Sequence, residues 1–292
     1  MDLLLGLRPG IALLAFTALA AIGQDRTHSY PLAIHGGVTF VRVLLGERDC
    51  RFILDTGASA TILTPATAKA AGFRISENPD LQQRRTLPSL AVAGQNVRDL
   101  GVIVYDPPQA RPLRFNSGID YHGLLGFSFL RHYRVELDYP ASRFRLLPST
   151  EARPHVRQAQ SGPIRYTPIT LIDGLVHIPG VVNGNREITC LIDTGAAEVV
   201  VAPQAARALG LAVVPLDARR GIALARLDSL TIAGTTVRQL EVVVHTIPQD
   251  RYRTPAYQII VGTPFLQRFL VVLDYPGRRV ALHGGEPHQT DP

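Results

Sequence analysis

The chain has 292 residues, 46% of them hydrophobic and 18% charged, so it is long enough for one large domain or two ordinary ones. Its formal charge of +6 rests almost wholly on arginine, with Lys69 the single lysine, and the arginines fall singly or in pairs such as Arg84-Arg85, Arg219-Arg220 and Arg278-Arg279. That scatter, with no basic helix and no aromatic-basic interleaving, argues against a nucleic-acid partner.

Taken in chain order, residues 1–22 read as an export signal or an N-terminal membrane anchor. Arg8 precedes an apolar run from Ile11 to Ile22, too short for a comfortable span, and Ala18-Leu19-Ala20 has the small-residue spacing of a cleavage site. The expectation is therefore a periplasmic or secreted protein, with membrane attachment only through this segment. The next stretch reads as strands: Val38 to Leu45, a turn at Gly46-Glu47-Arg48, then Phe52-Ile53-Leu54 running into Asp55. A short helix follows, with Thr64 as N-cap, Pro65 at its first position and Gly72 ending it. Strands are expected over 88–93, 97–104, 133–138 and 143–147, with a short helix after Gly126 that turns Phe129-Leu130 inward. Residues 148–163, polar and carrying three prolines, read as a linker.

Beyond the linker the chain repeats itself. A shift of 138 lays Val38–Gly72 on Val176–Gly210 without a gap, Val43 on Val181, Gly46 on Gly184 and Arg48 on Arg186. Further on the shift is 140, placing Ala93-Gly94 on Ala233-Gly234, and then 136, placing Gly126 on Gly262 and Leu137-Asp138-Tyr139-Pro140 on Leu273-Asp274-Tyr275-Pro276. The domain reading is one lobe over 30–147 and a second over 164–285. Cys50 and Cys190 lack metal-ligand spacing and read as buried thiols or, after export, as a disulfide. The nine histidines likewise show no metal spacing, so no metal site is expected.

Both repeats end a buried strand on Asp-Thr-Gly, Asp55-Thr56-Gly57 and Asp193-Thr194-Gly195, and both later carry two apolar residues before a glycine, Leu124-Leu125-Gly126 and Ile260-Val261-Gly262. One such triplet is a common turn. Two at equivalent places, with the apolar-apolar-Gly partners, resemble the aspartic peptidases of the retropepsin and pepsin type. The resemblance implies a mainly β, bilobal acid-protease fold, with two homologous β-barrel-like lobes, short helices and an active-site cleft between them. It implies that Asp55 and Asp193 form the catalytic pair, that Thr56 and Thr194 hydrogen-bond across the lobes, and that Gly126 and Gly262 pack beneath the Asp loops. Two carboxylates about 3 Å apart share one proton, one acting as base on a water and the other as acid toward the peptide carbonyl. No cofactor is required, the substrate is a peptide or protein, and a monomer suffices because both lobes lie in one chain. The runner-up is a catalytically weak or inactive protein of this fold that binds extended peptides or envelope polymers in the cleft.

Ala58 and Ala196 stand where pepsins usually carry a hydroxyl residue. Without that donor the pair should hold its proton longer, which predicts a weakly acidic optimum. Flaps over the cleft are expected within 74–90 and 212–228. Gly221, in Arg219-Arg220-Gly221-Ile222-Ala223, is the candidate in the second copy; the first copy offers Arg85 in a run without glycine between Gly72 and Gly94, so a first flap altered or replaced by a loop is expected. Glu198 reads as an exposed strand carboxylate or a subsite residue, and Asp138 and Asp274 as strand-to-turn residues.

Overall fold

A computed structural model of the chain describes residues 29–76, 78, 81–105, 121–148, 164–247 and 257–284. The signal or anchor segment and residues 149–163 of the expected linker lie outside these, as does residue 285.

The first lobe opens with β1 (Tyr30–Pro31), β2 (Ala33–His35), β3 (Val38–Leu45) and β4 (Arg48–Leu54). After the Asp55 turn come β5 (Thr61–Leu63), α1 (Pro65–Ala70), β6 (Gln83–Val92), β7 (Gln95–Val104), β8 (Gly123–Leu125), α2 (Phe127–Leu130), β9 (Tyr133–Asp138) and β10 (Arg143–Pro148). The second lobe repeats the plan: β11 (Thr167–Pro168), β12 (Thr170–Ile172), β13 (Leu175–Val182), β14 (Arg186–Ile192), β15 (Val200–Val201), α3 (Pro203–Ala208), β16 (Val214–Asp217), β17 (Ile222–Ile232), β18 (Thr235–Val244), β19 (Ile259–Val261), α4 (Thr263–Leu266), β20 (Leu270–Asp274) and β21 (Arg279–His283).

Each lobe is one curled sheet. The first runs β2-β3-β4-β8-β5-β7-β6 and the second β12-β13-β14-β19-β15-β18-β17, with β16 added at its edge. Extra pairings of β3 with β6 and β13 with β17 draw each sheet round toward closure, giving the barrel-like lobes expected. Local chemistry fits the strands to this curvature. Hairpins β6–β7 and β17–β18 turn at Ala93-Gly94 and Ala233-Gly234, all four residues at positive φ, a backbone whose twist matches that of the flanking strands. Helix α1 starts as expected, Thr64 Oγ1 accepting from Thr67 N at 3.2 Å, whereas Ala202 caps α3 without a side-chain bond.

The lobes share a third sheet, β1-β10-β9-β20-β21-β11. At its centre β9 and β20 pair antiparallel, and Glu136 lies opposite Val272, its own counterpart at the shift of 136. The pseudo-twofold axis therefore passes between these two strands. Val135 and Leu137 from one lobe and Val271 and Leu273 from the other are each at 0% exposure in a single cluster, so the lobes share one apolar core.

Pairing corrects the ungapped repeat. Val43 lies opposite Cys50, but Ile188, the counterpart of Cys50, lies opposite Gly180 rather than Val181. Strand β13 is thus offset by 137. The reason is the turn: Asn183-Gly184-Asn185 joins β13 to β14, one residue more than Gly46-Glu47 between β3 and β4. Because side chains alternate, this slip decides which residue faces inward. Phe40 matches His177, and Thr39 matches Val176.

Cys50 and Cys190 are free thiols buried in separate lobes, so the disulfide alternative does not hold. Burial raises both, Cys190 to about 12, which suppresses thiolate formation.

Candidate active site

Strand β4 delivers Asp55 and β14 delivers Asp193. Each runs parallel to the apolar-apolar-Gly strand beside it, Leu54 opposite Leu125 and Ile192 opposite Val261, and that neighbour's carbonyl accepts the Asp amide (Asp55 N to Leu125 O and Asp193 N to Val261 O, each 3.1 Å). The chain then passes directly beneath the Asp loop. Phe127 N donates to Ala58 O and Thr263 N to Ala196 O, both at 2.9 Å. A Cβ on Gly126 or Gly262 would overlap the carbonyls of Ala60 or Glu198, so the close approach requires glycine at both places.

The two Asp loops are locked together by their threonines, which are fully buried. Thr56 Oγ1 donates to Ile192 O at 2.7 Å and Thr194 Oγ1 to Leu54 O at 2.6 Å. Each hydroxyl also accepts the other threonine's amide, at 3.2 and 3.1 Å. Four crossed bonds therefore bind the ends of β4 and β14.

This lock brings the carboxyls of Asp55 and Asp193 within hydrogen-bonding reach of each other. Their Oδ1 atoms accept Gly57 N at 2.8 Å and Gly195 N at 2.9 Å. Each also lies against the other loop's glycine: a Cβ on Gly57 would overlap the Asp193 carboxylate, and one on Gly195 would stand 2.6 Å from Asp55 Cγ. Burial holds the Asp55 carboxyl well above the usual carboxylate range, and the adjacent Asp193 pushes it further. Asp193 is also raised by burial. The coupled pair thus retains a proton at a pH where isolated aspartates have lost theirs.

The flap candidates separate. Gly221 (φ +65°) lies in the turn of the β16–β17 hairpin, where Asp217 Oδ1 accepts the amides of Arg219 and Arg220, both at 3.1 Å. Val214 and Leu216 on this hairpin are 64% and 52% exposed. Arg85 lies within β6 opposite Val102, not in a hairpin turn, its guanidinium donating to Arg74 O at 2.7 Å. Without a glycine to break it, the Gln83–Leu87 run extends the strand. Among the described residues the first lobe has no counterpart of β16. Glu198 is 7% exposed, so the expectation of an exposed strand carboxylate is corrected.

Asp138 and Asp274 are turn residues, as read, Oδ1 accepting Ala141 N at 3.0 Å and Gly277 N at 2.9 Å. Sequence reasoning passed over the tyrosines beside them. Tyr139 and Tyr275 are 4% and 3% exposed; the charge of Asp193 acts on Tyr139, and those of both aspartates act on Tyr275. The repetition of Leu-Asp-Tyr-Pro was the available signal.

Fold and site together are those of an aspartic-protease-type molecule with both lobes in one chain. The aspartyl protease family model matches residues 41–129 and again 178–265, together more than half the chain, and the chain belongs to that family. The crystal structure of an aspartic proteinase from Irpex lacteus is similar in fold, with TM-score 0.56 at 16% identity, over 90% of this chain and 98% of that one. No curated protein sequence matches the chain.

Proposed function

We propose that this protein is an aspartic endopeptidase in which Asp55 and Asp193 activate a water between them to hydrolyse a peptide bond. The observation that carries this reading is the juxtaposed carboxyl pair, half-buried at the lobe junction and held by the crossed threonine bonds. The ionised member takes a proton from the water as it attacks the carbonyl carbon. The protonated member donates to the carbonyl oxygen, giving a neutral gem-diol; as the C–N bond breaks, the proton taken from water passes to the leaving amine and a gem-diol hydroxyl returns its proton to the aspartate that had donated. Membership of the family supports a peptidase generally. Raised carboxyls and the absence of a hydroxyl at Ala58 and Ala196 support a weakly acidic optimum. Export to the periplasm or beyond, action as a monomer and a flap role for the β16–β17 hairpin belong to the same proposal.

The test is cleavage of a mixed peptide library at about pH 4 to 7, comparing wild type with Asp193→Asn. Loss of turnover by about 10³-fold or more in the variant is expected. The same variant should be more stable at neutral pH. A carboxyl raised in the folded state contributes most stability below its unfolded value, and that contribution is lost as pH rises through the raised folded value. Asparagine removes the partly desolvated charge, so Tm at about pH 7 should rise by roughly 2–5 °C, with little gain at about pH 3. Peptide binding without cleavage by wild type would favour the binding-protein reading, which draws support from the first lobe's lack of a hairpin like β16–β17 among the described residues.

A further inference from the structure

The Leu-Asp-Tyr-Pro turns drive two tyrosines inward, and the two are not equivalent. Tyr139 hydroxyl bonds Thr39 Oγ1 at 2.9 Å. The corrected register puts Val176 where the first lobe has Thr39: Thr39 lies opposite Ile34, Val176 opposite Leu171, and both are fully buried. Valine keeps threonine's shape and drops its hydroxyl. Consistent with this, the Tyr275 hydroxyl is buried without a hydrogen-bond partner. Leaving such a group unpaired costs about 1–3 kcal/mol, and phenylalanine would pack there without that cost.

The surroundings supply a reason to keep it. The Tyr275 ring crosses to the first lobe and packs on Phe127, centroids 5.8 Å apart. Phe127 in turn bonds the Asp55 loop through Ala58 O. Burial raises both phenols; beyond that, the charges of Asp55 and then Asp193 push Tyr275 up further, whereas of the pair only Asp193 acts on Tyr139. Asp274, beside Tyr275, is engaged by Gly277 N and Arg279. The carboxylates whose charge acts on Tyr275 are therefore those of the dyad, and the ring reaches the Asp55 loop through Phe127.

We propose that Tyr275 is a positioning residue for the dyad, its otherwise unpartnered hydroxyl turning its O–H dipole toward the pair and stabilising the charge the pair carries during the reaction. Tyr139, committed to Thr39, does this less. The valine at 176 is what leaves Tyr275 available. This inference rests on the dyad reading above.

The experiment is a pH titration of the two aspartates by carbon-13 carboxyl NMR in the whole protein, which needs no turnover, alongside the pH profile of kcat/KM. Tyr275→Phe removes the donor dipole from the charged state, so the dyad titration and the alkaline limb should move up by about half a unit, with Tm unchanged or higher. Val176→Thr keeps the ring, gives the hydroxyl a partner, and should move the titration the same way. Tyr139→Phe should lower Tm and move the titration less. A coupled titration that Tyr275→Phe leaves in place, or moves no further than Tyr139→Phe does, overturns the role of Tyr275. Two carboxyls that titrate independently in wild type sink the dyad reading itself.

Discussion

The two lobes share a backbone plan and differ in what surrounds it. Strand order, the Asp-Thr-Gly loop, the glycine beneath it and the threonine lock occur in both. The differences are one extra turn residue after β13, a hairpin strand β16 present only in the second lobe among the described residues, valine for threonine behind one tyrosine, and His177 in place of Phe40. The shared parts are those whose partner is backbone, within a lobe for the glycines and across the lobes for the threonines, so neither copy can change without breaking such a contact. The differences lie where a side chain faces a neighbour that can be replaced. Histidine illustrates the latitude: His177 occupies the aromatic slot with Nδ1 against Leu175 O at 3.1 Å, edge-on against Tyr257, and burial holds it below its ordinary value.

If that division is right, substitutions at shared positions should be costly in either lobe, and substitutions at divergent positions should matter in one. The largest effect belongs to the glycines beneath the Asp loops. Gly126→Ala and Gly262→Ala should each cost about 3 kcal/mol or more, since the new Cβ meets backbone carbonyls that cannot move alone. Gly101→Ala, with open space around it, should be nearly neutral by the same denaturant titration. A mild Gly126→Ala would show that the first lobe tolerates a looser loop.

Next come the threonines. Thr56→Val and Thr194→Val each remove one donor to a buried carbonyl and one acceptor of a buried amide, and each should lower stability by about 2 kcal/mol. Equal losses are expected, because the four bonds mirror one another; a clear inequality would mean that one lobe anchors the other.

The smallest effect should expose the divergence. Replacing 214–221 with a short polar turn removes β16 and its hairpin, and should raise KM about tenfold for a peptide substrate while leaving Tm within a few degrees. Arg85→Ala, on a strand rather than in a hairpin turn, should change KM less than twofold. Equal effects of the two would mean that the first lobe's rim serves substrate as much as the second lobe's hairpin.

Much of this was readable in the residues alone. Turn glycines, Pro65 and Pro203 at helix starts, and apolar strands ending in Asp-Thr-Gly are local signals whose conformational requirements hold in any fold. The duplication then implied a site shared by two lobes, and Asp55, Asp193, Thr56 and Thr194 all lie at it. Three features were settled only by tertiary structure. Register on β13 depends on the length of a turn, which an ungapped shift cannot see. The fate of the Arg85 run depends on whether a partner strand continues beside it, as β7 does. The place of Tyr275 depends on the lobe it crosses into: a tyrosine after a strand carries no sign of being buried, unpartnered and beside a charge contributed from 220 positions earlier. Local chemistry determines the elements because it acts between neighbours in the chain; which side chains meet across the twofold axis is decided only when the two lobes close on each other.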